Sequence, residues 1–184
     1  MKKLFYMLGL LAVSALTLTA CGDDDDDNTW EDYREWREAN KTWFAEQANK
    51  LDKDGNLFYE KVAPEWAGGQ YILVHWFNDR SETAGNLVPM LTSTVSTKYI
   101  GRLYDDTPVD SSYNRTDAIF TARVSGLIQG WQMALMNMHV GDTVQMVIPY
   151  ELGYGSSLTG SIYPYSALRF NMRLADIPYY ETRP

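Results

Sequence analysis

The sequence predicts an α+β fold in which an antiparallel β-sheet closes over one internal helix, with a helical extension before it. Two observations predict this fold: strand-like segments outnumber helical ones, and a single helical pattern lies between the strands. A third is the last strand, where apolar and polar residues alternate, so that one face is buried and the other is wet. The apolar residues of this strand are Leu168, Phe170, Met172 and Leu174, and the polar ones are Arg169, Asn171 and Arg173.

The composition is that of one globular domain. The chain has 184 residues, of which 14% are aromatic, and a formal charge of -8. This length is sufficient for a substantial core. Phosphate binding needs clustered lysine and arginine, so the acidic balance argues against a nucleic-acid partner. Attraction to an anionic membrane surface is disfavoured for the same reason.

Residues 28–50 are predicted to form the helical extension, with Asn28 or Thr29 as its cap. A mostly aromatic stripe recurs there at helical spacing, which indicates core or interface packing rather than a sugar-binding platform. The stripe consists of Trp30, Tyr33, Trp36, Arg37, Asn40, Trp43, Phe44 and Gln47. The segment LDKDGN then ends the helix in a turn, because its glycine and carboxylates miss the spacing of an EF-hand calcium loop.

The remaining elements follow in chain order. Strands are predicted at residues 57–63, 70–78, 93–104, 118–124, 143–149 and 167–177. Between them lie a polar loop at residues 79–86, a turn-rich excursion at residues 105–117 and a turn at residues 139–142. The internal helix is predicted at residues 128–138, with Trp131, Leu135 and Met138 on one face.

The first residues are typical of a targeting segment. Lys2 and Lys3 precede a short apolar run that ends in Leu-Thr-Ala-Cys at residues 18–21. This ending resembles the lipobox of bacterial lipoproteins, in which the cysteine becomes the lipidated first residue. We therefore expect a signal peptide at residues 1–20 and a lipid anchor on Cys21 that attaches the protein to a membrane. A plain signal peptide or a membrane helix is the alternative.

An acidic run follows the cysteine, with aspartate at all of residues 23–27. One interpretation is a self-repelling tether, residues 21–28, that holds the domain away from the bilayer. The other is a sorting signal, since acidic residues behind a lipidated cysteine resemble the surface-export signal of Bacteroidetes lipoproteins. Both predict a protein anchored to the outer membrane, facing the periplasm or the cell surface.

The sequence lacks the motifs of metal binding, dinucleotide binding and nucleophilic catalysis. Cys21 is the only cysteine, and His75 and His139 do not have the spacing of metal ligands. We expect both histidines to have structural roles. The glycines of GYGSSLTG do not complete a dinucleotide fingerprint, and no nucleophile stands in a recognised motif. The sequence therefore predicts neither a metal nor a cofactor.

The loop between the last two strands is unusually rich in aromatic residues. Loops favour small polar residues, yet this one places Tyr150, Tyr154, Tyr163 and Tyr165 beside Ile162 and Pro164. We expect these tyrosines to form the wall of an apolar pocket.

Five blocks in order then carry a family resemblance. They are KYIGRLYDDTPVDSS, GLIQGW, MNMHVGD, VQMVIPYELGYG and IYPYSALRF, within residues 93–177. Each resembles the corresponding block of FKBP-type peptidyl-prolyl cis-trans isomerases. The resemblance implies a curved antiparallel sheet wrapped around a short helix. Beyond the signal peptide and tether, the resemblance divides the chain into two parts. Residues 29–92 contain the N-terminal helix and leading strands, and residues 93–184 form the isomerase domain.

The resemblance also implies a site. Trp131 would form the floor of the pocket, and Asp110 would make polar contacts at the rim. The Tyr154 hydroxyl and the Ile162 backbone N–H would donate hydrogen bonds to substrate carbonyls. The apolar walls would come from Tyr99, Leu127, Ile128 and Phe170, with Ile162 and Tyr154 contributed by the loop.

The implied activity is isomerisation of X–Pro bonds in polypeptide clients, without any cofactor. Such bonds isomerise over tens to hundreds of seconds, because amide resonance imposes a barrier of about 18–20 kcal/mol. An apolar pocket favours the twisted, less polar transition state. FKBP-directed macrolides are a second class of ligand that the resemblance implies. For an exported protein, the expected role is to assist the folding of other exported proteins.

Three positions depart from the family pattern. Val109 replaces an aromatic residue before Asp110, and Tyr163 replaces the first proline of an I-P-P block. The position of the family's third aromatic wall residue is occupied by either Phe120 or Ala122. Fewer rings bury less surface, so we expect a weakened isomerase. The alternative is a cell-surface binding protein that keeps the fold without catalysis.

Overall fold

The structure is a computed structural model, and it describes residues 29–181. The predicted signal peptide, the lipidation site Cys21 and the acidic tether lie outside the described residues. No helix within residues 29–181 is both long enough and apolar enough to cross a bilayer.

Within residues 29–181, seven strands form one open antiparallel sheet. Their order is β1-β2-β6-β7-β3-β4, and β5 also pairs with β3. The strands are β1 (Glu60–Val62), β2 (Ile72–Trp76), β3 (Thr94–Leu103), β4 (Pro108–Ser111), β5 (Phe120–Arg123), β6 (Thr143–Ile148) and β7 (Leu168–Tyr179). This confirms the predicted α+β class with its antiparallel sheet. The leading strands β1 and β2 belong to the same sheet as the later strands, so hydrogen bonds cross the predicted division at residue 92.

The alternation predicted for the last strand is confirmed. Leu168, Phe170, Met172 and Leu174 are buried on one face of β7, while Asn171 and Arg173 between them are exposed. β3 pairs with β7 along its whole length and alternates in the same way. The two long strands together form the platform on which the core is built.

Helix α3 (Gln129–Leu135) packs against the buried face of this sheet. Trp131, Met133 and Leu135 are nearly inaccessible to solvent, as is Met138 just beyond the helix. Gly130 permits a close approach, because a Cβ at this position would lie 2.5 Å from Ile148. The helix ends three residues earlier than predicted, at Leu135.

The predicted helical extension is confirmed in two pieces, α1 (Thr29–Asp32) and α2 (Arg34–Ala48), with an interruption at Tyr33. Arg37 and Asn40 are the buried residues of α2. The turn predicted after the helix is also present. Its Asp52 carboxylate accepts hydrogen bonds from the Asp54 and Asn56 backbone N–H groups, and these bonds, that of Asn56 above all, lower the pKa of Asp52.

The segment at residues 105–117 was predicted to consist of turns, but it also contains strand β4. Proline and aspartate disfavour strands in general, yet Pro108 is the first residue of a strand at the edge of the sheet, where a missing N–H is tolerated. The long neighbouring strand β3 supplies the pairing partner. The first strand is shorter than predicted, beginning at Glu60 rather than residue 57.

Candidate active site

A cavity of about 130 Å³ opens between the sheet, the start of α3 and the loop at residues 149–167. All eight predicted site residues line it, and Val109 and Phe120 complete the lining. The eight are Tyr99, Asp110, Leu127, Ile128, Trp131, Tyr154, Ile162 and Phe170. Residues far apart in the chain, on β3, β4, α3, β7 and the loop, therefore meet at one place.

The indole of Trp131 lies among three other rings. Each of them meets it edge to face, with centroid distances of 4.9 Å to Tyr99, 5.2 Å to Phe170 and 6.0 Å to Phe120. This geometry suits the charge distribution of aromatic rings and fixes the indole firmly. The Trp131 Nε1 atom is buried and has no hydrogen-bond partner within residues 29–181.

The polar side of the cavity is built around Asp110. The Tyr99 hydroxyl donates to one carboxylate oxygen, and the Ser111 backbone N–H donates to the other at 2.7 Å. Burial, followed by the bond to Asp110, raises the pKa of Tyr99 to about 12. Arg115 interacts with the Tyr99 hydroxyl and lies 5.1 Å from the centre of the Phe120 ring. Sequence reasoning missed Arg115, because it lies in a turn outside every recognised block.

Tyr154 presents a free hydroxyl at the cavity. The side chain is partly exposed, and its hydroxyl has no partner among the residues that the structure describes. Burial, with a smaller contribution from the Asp110 charge, raises the pKa of Tyr154 above its usual value. The group therefore stays protonated at neutral pH and is available as a hydrogen-bond donor.

The third aromatic wall is Phe120. In the β3–β5 register Phe120 lies opposite Thr97, whereas Ala122 lies opposite Val95, further along the strand. Phe120 lines the cavity and Ala122 does not. The structure therefore decides between the two positions that the sequence left open.

The predicted role of the Ile162 backbone N–H is wrong. That N–H donates to the Thr159 carbonyl at 2.9 Å, and the Thr159 N–H returns a bond of 3.0 Å, so the donor is already used inside the loop. The Ile162 side chain still lines the cavity. By contrast, the Ile128 backbone N–H makes no hydrogen bond with any of residues 29–181. The Ile128 N–H is therefore a candidate donor to a substrate carbonyl, the role that the sequence analysis had given to the Ile162 N–H.

The expectation that four loop tyrosines surround the pocket is also wrong for three of them. Only Tyr154 lines the cavity. Tyr163 packs on Tyr33 and Trp36, with centroid distances of 6.0 and 5.4 Å. Tyr165 packs edge to face on Trp30 at 5.6 Å and on Tyr150 at 5.3 Å. The sequence could not show that α1 and α2 cover the opposite side of this loop.

A second cavity, of about 230 Å³, lies on that opposite side. Its lining includes Phe44 of α2, Tyr71, Pro149 and Tyr150. Although it is larger, it contains none of the eight predicted site residues, so we place the candidate site at the smaller cavity. Within residues 29–181 no three His, Cys, Asp or Glu side chains cluster in a way that suits a metal ion. His75 is used in packing, stacked on Phe58 at 3.9 Å.

The residues that line the smaller cavity fall within a segment that is similar to known proteins. Residues 86–175 match the sequence profile of FKBP-type peptidyl-prolyl cis-trans isomerases. The macrophage infectivity potentiator of Trypanosoma cruzi is 30% identical over 177 residues, which cover 96% of this chain and 83% of that protein. FkpA of Escherichia coli K12, an isomerase of the same type, is 37% identical over 89 residues, 48% of this chain and only 33% of FkpA.

A solved structure supports the fold as well. The peptidyl-prolyl cis-trans isomerase of Pseudomonas syringae pv. tomato superposes with a TM-score of 0.63 at 25% identity, over 79% of this chain and 95% of that one. The five sequence blocks, the cavity that they build and the similarity over most of the Trypanosoma cruzi protein agree. The chain belongs to the family of FKBP-type peptidyl-prolyl cis-trans isomerases.

Proposed function

We propose that this protein catalyses cis-trans isomerisation of X–Pro bonds in polypeptide clients. The observation that carries the proposal is that one aromatic cavity collects all eight residues implied by the five blocks. A tenfold change in rate corresponds to about 1.36 kcal/mol, so a ten-thousand-fold acceleration requires only about 5.4 kcal/mol. Shape and desolvation alone are sufficient for a stabilisation of this size.

The mechanism follows from the chemistry of the amide. A planar X–Pro amide is polar because resonance separates charge between its oxygen and nitrogen, and the twisted transition state loses this separation. A cavity lined by Trp131, Tyr99, Phe120 and Phe170 solvates the planar form poorly, and therefore lowers the relative free energy of the twisted form. The proline ring would lie on the Trp131 indole.

Two donors are suited to hold the peptide in the turn that twisting requires. The Tyr154 hydroxyl and the Ile128 backbone N–H are both free of partners among the described residues, and both residues line the cavity. Bonds to peptide carbonyls outside the twisting amide would fix the chain without stabilising the planar amide itself. No proton is transferred at any step.

The test is exchange NMR on a short X–Pro peptide with the full chain. We expect acceleration by the wild type, a loss of about tenfold in kcat/KM for Tyr154→Phe, and a larger loss for Trp131→Ala. Tyr113→Phe is the matched control, because Tyr113 is exposed and does not line the cavity. No acceleration by a folded wild-type chain would contradict the proposal.

We further propose that the protein acts outside the cytoplasm, anchored through Cys21 and assisting the folding of exported proteins. The support is the sequence Leu-Thr-Ala-Cys behind a charged and apolar leader, followed by the acidic residues 23–27. Labelled palmitate supplied to a Gram-negative host should enter the wild type and not Cys21→Ala. Surface proteolysis of intact cells would then distinguish a cell-surface position from a periplasmic one. Equal labelling of both proteins would refute the anchor.

A second function, binding without catalysis, is favoured by one observation. Val109 lines the cavity at the position where the family resemblance implies an aromatic ring, so this wall is shorter. A macrolide ligand directed at FKBP pockets tests this function, because its binding requires the cavity and not turnover. Macrolide binding without peptide isomerisation would establish the binding function.

A further inference from the structure

The loop at residues 149–167 lies between the candidate active site and the N-terminal helix. One of its sides supplies Tyr154 and Ile162 to the cavity. Its other side faces α2, which lies entirely before residues 86–175, the segment that matches the family profile. The contacts on this second side are specific hydrogen bonds and ring contacts.

Asn40 of α2 makes the most deeply buried of these contacts. Its Oδ1 atom accepts a hydrogen bond from the Ala167 backbone N–H at 2.8 Å, and its Nδ2 donates to the Trp36 carbonyl at 2.8 Å. The side chain is 1% exposed. A buried backbone N–H that loses its acceptor is costly, so Asn40 fixes where the loop enters β7.

Trp36, one turn earlier, holds the preceding residues of the loop. Its indole N–H donates to the Ser166 hydroxyl at 3.0 Å, and that hydroxyl donates to the Tyr163 carbonyl at 2.7 Å. The Trp36 ring also meets the Tyr163 ring edge to face. Ile162 of the cavity directly precedes Tyr163, so the tethered segment adjoins the site.

Tyr165 connects this tethered segment to Tyr154. Its backbone has a φ of +62°, an uncommon conformation for a residue other than glycine, and the ring is buried against Trp30 and Tyr150. The Tyr165 N–H donates to the Gly155 carbonyl at 2.8 Å, immediately after Tyr154. A displacement at α2 would therefore be transmitted through Tyr165 to the cavity.

We propose that helix α2 positions the loop that carries Tyr154 and Ile162, with Asn40 and Trp36 as its positioning residues. The proposal rests on the proposed isomerase function, because it names the part of the chain that keeps that site in register. Neither residue lines the active-site cavity. Both act through the loop backbone.

The test compares substitutions on the same helix in the full chain. Trp36→Phe keeps an aromatic ring but removes the bond to Ser166, and Asn40→Leu keeps the approximate volume but removes the acceptor for Ala167. Trp43→Phe is the matched control, because Trp43 packs on Tyr104, as Trp36 does, but makes no hydrogen bond to residues 149–167.

The first readout is amide hydrogen exchange, which does not depend on catalysis. We expect Ala167 and Tyr165 amides to exchange about tenfold faster in Asn40→Leu, while the sheet amides of Met146 and Met172 keep their protection. Trp43→Phe should leave all four unchanged. If exchange becomes faster at the loop and sheet amides together, or at neither, α2 does not stabilise the loop locally. Either result overturns the proposal.

The second readout is kcat/KM for a peptide substrate. Both α2 variants should lose about three- to tenfold. Trp36→Phe should add little to Ser166→Ala in a double-mutant cycle, because Ser166→Ala already removes the Trp36–Ser166 bond, together with the bond to the Tyr163 carbonyl. Loosened loop amides with unchanged kcat/KM would overturn the positioning role. If the wild type itself shows no turnover, the proposed function fails, and macrolide affinity then replaces kcat/KM as the readout of the same site.

Discussion

Gly101 of β3 and Phe170 of β7 are direct partners across the sheet, and the Phe170 ring occupies the space that a side chain at residue 101 would take. A Cβ on residue 101 would lie 2.5 Å from Cε1 of Phe170 and 3.3 Å from Val109. Phe170 and Val109 both line the cavity. The glycine is therefore needed for the shape of the site rather than for an unusual backbone angle.

Gly101→Ala should move the Phe170 wall into the cavity. Overpacking of this kind costs about 1–3 kcal/mol, and we expect that loss in the free energy of unfolding together with a lower kcat/KM. Gly85→Ala is the control, because no atom lies within 4 Å of the Cβ it would add. The double variant Gly101→Ala with Phe170→Leu should recover stability by relieving the clash. Without that recovery, the clash is not the cause.

Val109→Phe should lengthen the short wall of the cavity. Val109 is only half-buried, so a larger ring can extend along the mouth, and its added apolar surface stabilises a bound proline peptide at about 25 cal/mol per Å². We expect kcat/KM to rise by about two- to fivefold, mainly through a lower KM. Leu158→Phe adds a ring at an exposed loop position that does not line the cavity, and should change nothing. A fall in kcat/KM for Val109→Phe would mean that the cavity is already filled.

Catalysis should be insensitive to pH across the neutral range. The pKa of Tyr154 is raised, mainly by burial, so its hydroxyl remains a donor well into the alkaline range. No acid or base takes part in the proposed mechanism. We expect kcat/KM to be flat between about pH 6 and about pH 9, where an ordinary tyrosine is also protonated. A bell-shaped profile would point to general acid-base catalysis instead.

Alkaline pH should destabilise the protein through Tyr99. Burial and the bond to Asp110 raise its pKa from 10.0 to about 12, so the folded state favours the protonated phenol. This contribution is complete below about pH 10 and is lost as pH rises toward about 12. Denaturant titrations across this range should show a smaller loss of stability for Tyr99→Phe than for the wild type. Equal losses would contradict the assignment.

Asp142 should be the carboxylate that matters most at acid pH. Burial alone would raise its pKa, but bonds from Thr83, the His139 N–H and Asn78, with the charge of Arg80, lower it below the usual value. Its stabilising contribution is therefore present above about pH 4 and is lost as pH falls through the lowered pKa. Asp142→Ala should cost about 3 kcal/mol in the free energy of unfolding. Asp54→Ala, at an exposed position, should cost almost nothing.

The antiparallel sheet could be predicted because one physical rule generates it. A strand with one wet face must alternate, and β7 does so from Leu168 to Leu174. Strand β4 was missed, since its Pro108 and Asp110 disfavour a strand, and only pairing with β3 makes them one. Pairing partners lie far apart in sequence, so local composition cannot reveal them.

The residues that line the cavity were predicted better than the hydrogen bonds they make. All eight named residues line one cavity, because each lies in a block whose order and spacing the family shares. The assignment of the Ile162 N–H as a donor failed, since the local bridge to Thr159 uses it. Which backbone group remains unpaired is decided by the fold of the loop and cannot be deduced from residue type.

By itself, the sequence determined the α+β class, the order of six of the seven strands within residues 29–181 and, through the family resemblance, the set of side chains at the cavity. These properties follow from periodicity and from motifs that are local in the chain. Only the tertiary structure decided that Phe120 forms the third wall and that Tyr150, Tyr163 and Tyr165 turn away from the cavity toward the N-terminal helices. The reason is that a loop tyrosine packs wherever another aromatic ring is available, and that ring, Trp30 or Trp36, is more than a hundred residues away in sequence.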